Sequence, residues 1–131
     1  MATRKECICI ENAAGLIKDA KVLEAKSDLL DRLTRMHKSG MVSAIPRDVE
    51  ESYMMDIRDS ARYVQIGTKS FENACNISKL GTRLDQYQLG KEKLEQFRKE
   101  PENLNLAIDA GRKIYGAVFS KIGKGLIECK L

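Results

Sequence analysis

The sequence predicts an all-α protein, an antiparallel up-down four-helix bundle with a short N-terminal arm. Three observations carry that expectation. Apolar residues recur at three- and four-residue steps through most of the 131 positions, only 2 prolines interrupt them, and the periodic segments end at helix-stop signals. The composition is 43% hydrophobic and 32% charged with aromatics at 5% and no Trp, which belongs to helical proteins with a core and excludes collagen-like, disordered and disulfide-scaffold classes. A chain of this length buries about two thirds of the surface its unfolded form exposes, so one domain spanning 1–131 is expected to hold together without staples.

Residues 1–10 fit the bundle pattern least. Cys7-Ile8-Cys9-Ile10 alternates, and reads as a short extended arm lying on the bundle. The first helix is expected over 11–38, with Leu16, Ala20, Leu23, Leu30 and Leu33 as its buried stripe and Val22, Leu29 and Met36 widening it. Arg35, His37 and Lys38 suit the negative end of the helix dipole, and Gly40 suits a left-handed stop. Asp28 with Arg32, and Asp31 with Arg35, form acid-first i,i+4 pairs expected on the solvent face.

A second helix is expected over 46–66. Ser43 is placed to cap it, Pro46 to occupy its first turn, and Val49, Tyr53, Ile57, Ala61 and Val64 to form its stripe before a break at Gly67. The third is expected over 69–99, carried by Ile77, Leu80, Leu84, Tyr87 and Leu94, supported by Glu95 with Lys99 and stopped by Pro101. Gly81 and Gly90 are its weak points, where a kink or break is the alternative to one long helix. The fourth is expected over 102–128, with Leu104, Ile108, Gly111, Ile114, Val118, Ile122 and Leu126 on one arc. Gly111 and Gly116 there either allow close backbone approach or lower local stability.

The inventory of chemical side chains is small: one histidine, His37, and four scattered cysteines. Cys7 and Cys9 form a single C-x-C pair, where zinc sites use two closely spaced ligand pairs, so no metal is expected. Cys75 reads as a small core residue, and Cys129 as a partner for Cys7 or Cys9 if the arm folds back, which requires an oxidising compartment. No carboxylate pair lies in an apolar setting and no glycine loop is built to cradle phosphate, so no catalytic residues, no cofactor and no enzymatic activity are expected.

Net charge is +4, from 23 basic and 19 acidic residues, which favours an acidic partner. Basic residues are not interleaved with exposed aromatics, so nucleic acid is not expected. The most one-sided charge lies in the last helix, where no carboxylate occurs between Asp109 and Glu128. Lys113 and Lys124 fall opposite the apolar arc, with Arg112 and Lys121 on its flanks. These four are the candidate partner-binding residues. Ile114 to Ile127 has the look of a membrane-surface helix, but its apolar arc matches those of the other segments and is read as core-facing. The terminal Cys129-Lys130-Leu131 is similar to a variant peroxisomal tripeptide, a pattern too short to serve as an address by itself.

Asp56-Ile57-Arg58-Asp59-Ser60-Ala61-Arg62-Tyr63-Val64 resembles the pattern Asp-Leu-Arg-x-x-Ala-x-Tyr-Leu of the PsbQ family, extrinsic subunits of the photosystem II oxygen-evolving complex. Lys79-Leu80 with Leu84-Asp85 is similar to a Lys-Leu-x-x-x-Ile-Asp segment of that family, and Lys113-Ile114-Tyr115 with Ser120 and Leu126 to its final helix. The resemblance implies an up-down four-helix bundle without catalytic activity, peripheral to the thylakoid membrane on its lumenal side. Such a subunit docks on the photosystem II core and on other extrinsic subunits, and helps retain calcium and chloride at the oxygen-evolving centre. It also implies docking roles for Lys113 and for the nearby Arg112, Lys121 and Lys124. The missing proline-rich arm and the shorter link between the second and third helices suit an algal or cyanobacterial type, and lumenal residence requires the sequence to be a processed form. The alternative is a cytosolic helical adaptor that binds protein or nucleic acid through a basic face.

Overall fold

The first helix starts at Arg4, capped by Thr3, and not at the eleventh residue. The Thr3 hydroxyl accepts a hydrogen bond from the Glu6 backbone N–H at 3.1 Å, and α1 (Arg4–Lys38) runs on without a break. The expected arm is therefore helix. Cys9, Ile10, Ala13, Leu16, Ile17 and Ala20 recur at three- and four-residue steps, and burying that continuous stripe outweighs the two-residue alternation around Cys7. At the far end Gly40 adopts φ 79°, its N–H bonded to the His37 carbonyl and the Met41 N–H to that of Met36, the double closure of a left-handed helix stop.

The computed structural model describes residues 3–41, 43–76 and 84–119. These hold four helices and no strand: α1, α2 (Arg47–Ala74), α3 (Leu84–Lys99) and α4 (Leu104–Phe119). Pro46 occupies the N-cap of α2 without a side-chain cap, so Ser43 does not play that part. α2 passes through the expected break at Gly67, which packs beside the Leu16 side chain of α1. An interior glycine costs about 1 kcal/mol, less than the packing on either side returns. The expected third helix is thereby shortened. Cys75 is extended, and Ile77, Leu80 and Gly81 lie outside the described residues, as do Ile122 and Leu126 of the fourth segment.

Every neighbouring pair runs antiparallel. Cys9 near the start of α1 meets Cys75 at the end of α2; Arg112 of α4 reaches Glu24 and Asp28 while Tyr115 lies beside Lys21; Gln65 faces Glu95, and Glu72 faces Tyr87. The helices are ordered α2, α1, α4, α3 around the bundle, with broad contact at each step and only sparse contact between α3 and α2. Leu16, Leu23, Leu30, Ile57, Val64, Phe71, Leu94, Phe97, Ile114 and Val118 fill the centre. Each such side chain contributes about 1.5–3 kcal/mol by leaving water. Val22, Leu29 and Met36 do not widen the core. They form an exposed row on the outer side of α1, and Val49 and Leu84 are exposed too.

α1 and α4 approach most closely at Gly111, where an added Cβ would stand 2.9 Å from the Ala20 carbonyl oxygen and 3.2 Å from the Glu24 nitrogen. Both are backbone atoms, so a methyl group must push the helices apart. Gly116, one turn on, has open space around it. Gly111→Ala is expected to destabilise by about 1–3 kcal/mol despite its better helix propensity, whereas Gly116→Ala gains up to about 1 kcal/mol. Urea midpoints of the two variants check this, and equal gains would show that the helices yield freely at Gly111.

Candidate docking interface

Of the four expected docking cations, two fall within the described residues, and they face different neighbours. Arg112 is committed to α1: its Nη2 donates to Asp28 Oδ1 at 3.4 Å and its Nε lies 3.6 Å from Glu24 Oε2. Asp28 therefore serves the α1–α4 junction and not the expected pair with Arg32, while Asp31 does pair with Arg35 at 2.9 Å. Lys113 is half-buried on the other flank of α4, its Cβ 3.3 Å from where a Cβ on Gly90 of α3 would stand. Lys121 and Lys124 lie outside the described residues.

The seam between α2 and α3 has two unlike ends. At one, Tyr87 Oη donates to Glu72 Oε1 at 3.0 Å and Lys91 Nζ donates to the same oxygen at 2.6 Å. The Lys91 ammonium also lies 5.7 Å from the Tyr87 ring centre, and Phe71 meets that ring edge-on. Gln65 donates to Glu95 at 3.2 Å, so Glu95 does not form the expected pair with Lys99. Burial raises the Tyr87 phenol above its ordinary value of 10.0, and the charge and hydrogen bond of Glu72 raise it further. A phenol raised on folding contributes stability that is complete below its unfolded value and is lost as pH rises above it. Folding free energy is therefore expected to fall steadily from about pH 10 to about pH 12, where the unfolded phenol ionises and the folded one does not, and Tyr87→Phe to flatten that fall. Denaturant titrations across the interval test it, and identical slopes in the two proteins would rule it out.

The other end of the seam is an open groove of about 540 Å³. Ala61 of α2 and Leu94 and Phe97 of α3 make its floor, and Pro101 lies at its end. Around it stand Arg58, Arg62 and Lys69 from α2 and Arg98 from α3, with no carboxylate in the lining. Among the described residues, none of these four cations has an ion-pair or hydrogen-bond partner. The signal was present in the sequence as cations at i, i+4 and i+11 of one helix. It becomes visible only when α2 is continued through Gly67 to bring Lys69 into line.

The PsbQ-like stretch divides between packing and surface. Ile57, Ala61 and Val64 are buried in the core, Arg58 stands on the groove, and Asp56 and Tyr63 line a cleft of about 310 Å³ between α1 and α2. Asp19 and Asp59 line that cleft as well, with Lys26 among them. Burial raises the Asp19 carboxyl, and the charge of neighbouring Lys18 opposes the rise. No group of three or more His, Cys, Asp or Glu among the described residues is placed to hold a metal ion. His37 is exposed at the end of α1.

Cys75 is not a free core residue. It is joined to Cys9, so of the two partners expected for Cys129 Cys9 is already taken, while Cys7 is itself disulfide-bonded and Cys129 lies outside the described residues. Extending the helix to Arg4 explains the difference, since it puts Cys9 on the core face of α1 at the level of the α2 terminus. No family model, curated protein or solved structure matches the chain.

Proposed function

We propose that this chain is a non-catalytic docking subunit of a larger assembly, and specifically an extrinsic subunit on the lumenal side of photosystem II that helps the oxygen-evolving centre retain calcium and chloride. The docking part rests on one observation, the four unpartnered cations around an apolar floor between α2 and α3. Cations left without internal partners are available to steer and orient an acidic surface. The photosystem part rests on the PsbQ-like stretch, whose arginine, Arg58, stands on that groove. The Cys9–Cys75 disulfide supports residence in an oxidising compartment. No described helix is long and apolar enough to cross a membrane, as a peripheral subunit requires.

The test is reconstitution. Photosystem II core particles stripped of extrinsic subunits are assayed for oxygen evolution at low calcium and chloride, with and without the chain, and co-sedimentation is scored in parallel. Restored activity with co-sedimentation is expected; no difference together with no binding removes the photosystem reading. The basic groove also favours a second reading, an adaptor for nucleic acid. A salt-dependent gel shift with random single-stranded nucleic acid would support it.

A further inference from the structure

We propose that the groove between α2 and α3 receives an acidic amphipathic helix of a partner protein, its apolar edge lying against Ile66 above Leu94 and Phe97 and its carboxylates meeting Arg58, Arg62, Lys69 and Arg98. The inference rests on the docking part of the reading above and names the chemistry of the partner.

Shape supplies the first reason. The α2 side of the groove runs from Arg58 to Lys69, about 16 Å at 1.5 Å per residue, or three helical turns. α2 and α3 touch only sparsely, so the slot between them is of the kind in which an apolar helix edge is laid. The rim supplies the second. Leu94 and Phe97 are each 2% exposed and close the bottom of the groove, while Ile66 at the rim is 54% exposed and offers the apolar surface that an incoming side chain would cover.

Charge supplies the third and chooses the occupant. Four cations face one groove with no carboxylate in its lining, the nearest acids standing in the adjoining grooves beside Lys69 and Arg58, so the groove itself presents positive charge that an acidic ligand would neutralise as it binds. Arginine is also the side chain best suited to grip a carboxylate with two parallel hydrogen bonds. The chain's own C-terminal segment does not fit, because it carries Lys121, Lys124 and Lys130 against the single acid Glu128. A flat anionic membrane does not fit either, since its surface cannot reach a floor recessed between two helices.

The full-length oxidised chain is titrated with a helical peptide about 14 residues long, bearing leucines at i, i+3, i+4 and i+7 and glutamates on both flanks. Matched peptides carry glutamine or lysine on the flanks, and vesicles of phosphatidylglycerol form a separate arm. The glutamate peptide is expected to bind at least about tenfold more tightly than the glutamine one, to weaken with salt, and to shift backbone amides of residues 58–69 and 94–98. The triple variant Arg58→Glu, Arg62→Glu, Arg98→Glu is expected to lose the glutamate peptide and gain the lysine one, with an unchanged helical circular dichroism spectrum. Should that variant fail to fold, Arg98→Gln alone is expected to weaken the glutamate peptide about tenfold. Equal affinity for the glutamate and glutamine peptides, amide shifts confined to other faces, or vesicle binding without peptide binding would overturn the proposal. Core-particle binding without peptide binding overturns it while leaving the photosystem reading standing; peptide binding without core-particle binding does the reverse.

Discussion

Cys9→Ala combined with Cys75→Ala is expected to cost the fold about 2–5 kcal/mol. The two cysteines are 66 residues apart in sequence, so their bond closes a long loop and removes many extended conformations from the unfolded chain. Loop-closure entropy alone places the effect near about 4 kcal/mol. Alanine at both positions leaves no stray thiol, and the helical contacts of α1 with α2 persist, so the variant should fold and simply unfold at lower urea. Paired urea titrations measure the difference. A loss below about 1 kcal/mol would mean that side-chain packing already restrains this end and the covalent link is redundant.

Phe71→Ala is expected to cost about 3–5 kcal/mol. Phe71 is 0% exposed, one turn before Cys75, and its ring meets Tyr87 at 5.7 Å between centres, joining α2 to α3. Removing the ring opens a cavity beneath the Tyr87–Glu72–Lys91 cluster, and surrounding residues tethered by the Cys9–Cys75 bond cannot readily collapse into it. Phe71→Leu, which keeps most of the volume, should lose much less. Because ring and disulfide secure the same end of α2, their effects are expected to couple by 0.5 kcal/mol or more in a double-mutant cycle. Strict additivity would show that the two act on separate parts of the fold.

The architecture was legible because helices announce themselves by period. Leu16, Leu23 and Leu30 form a row, and they are buried. Val22, Leu29 and Met36 form a second row with the same spacing, one residue out of step, and they are exposed. Period alone cannot decide which row meets neighbours, since that depends on where the other three helices lie. Boundaries were harder for the same reason. Gly67 has the chemistry of a break and yet sits inside α2, because Leu16 packs against it. Gly40, whose conformation is set locally, was readable as a stop.

Function was less legible than fold. Arg112 looked available in the sequence because no acid follows it before Glu128, but Glu24 and Asp28 reach it across the α1–α4 contact. Arg58, Arg62 and Lys69 do not stand out along the chain as one basic patch, since Asp56 and Asp59 are interspersed with the first two and Gly67 separates the third. In the fold those acids turn toward the α1–α2 cleft and leave the cations alone. Charge counted along a chain and charge counted across a surface are different quantities, and a docking face depends on the second.

The uneven ring of contacts, broad from α2 through α1 and α4 to α3 and thin across the remaining side, divides the molecule into blocks of unequal protection. α1 and α2 are clasped covalently, whereas α3 is fastened chiefly by α4. α3 should therefore exchange its amide protons earlier than the rest, while the clasped hairpin retains deuterium-resistant protons until global opening.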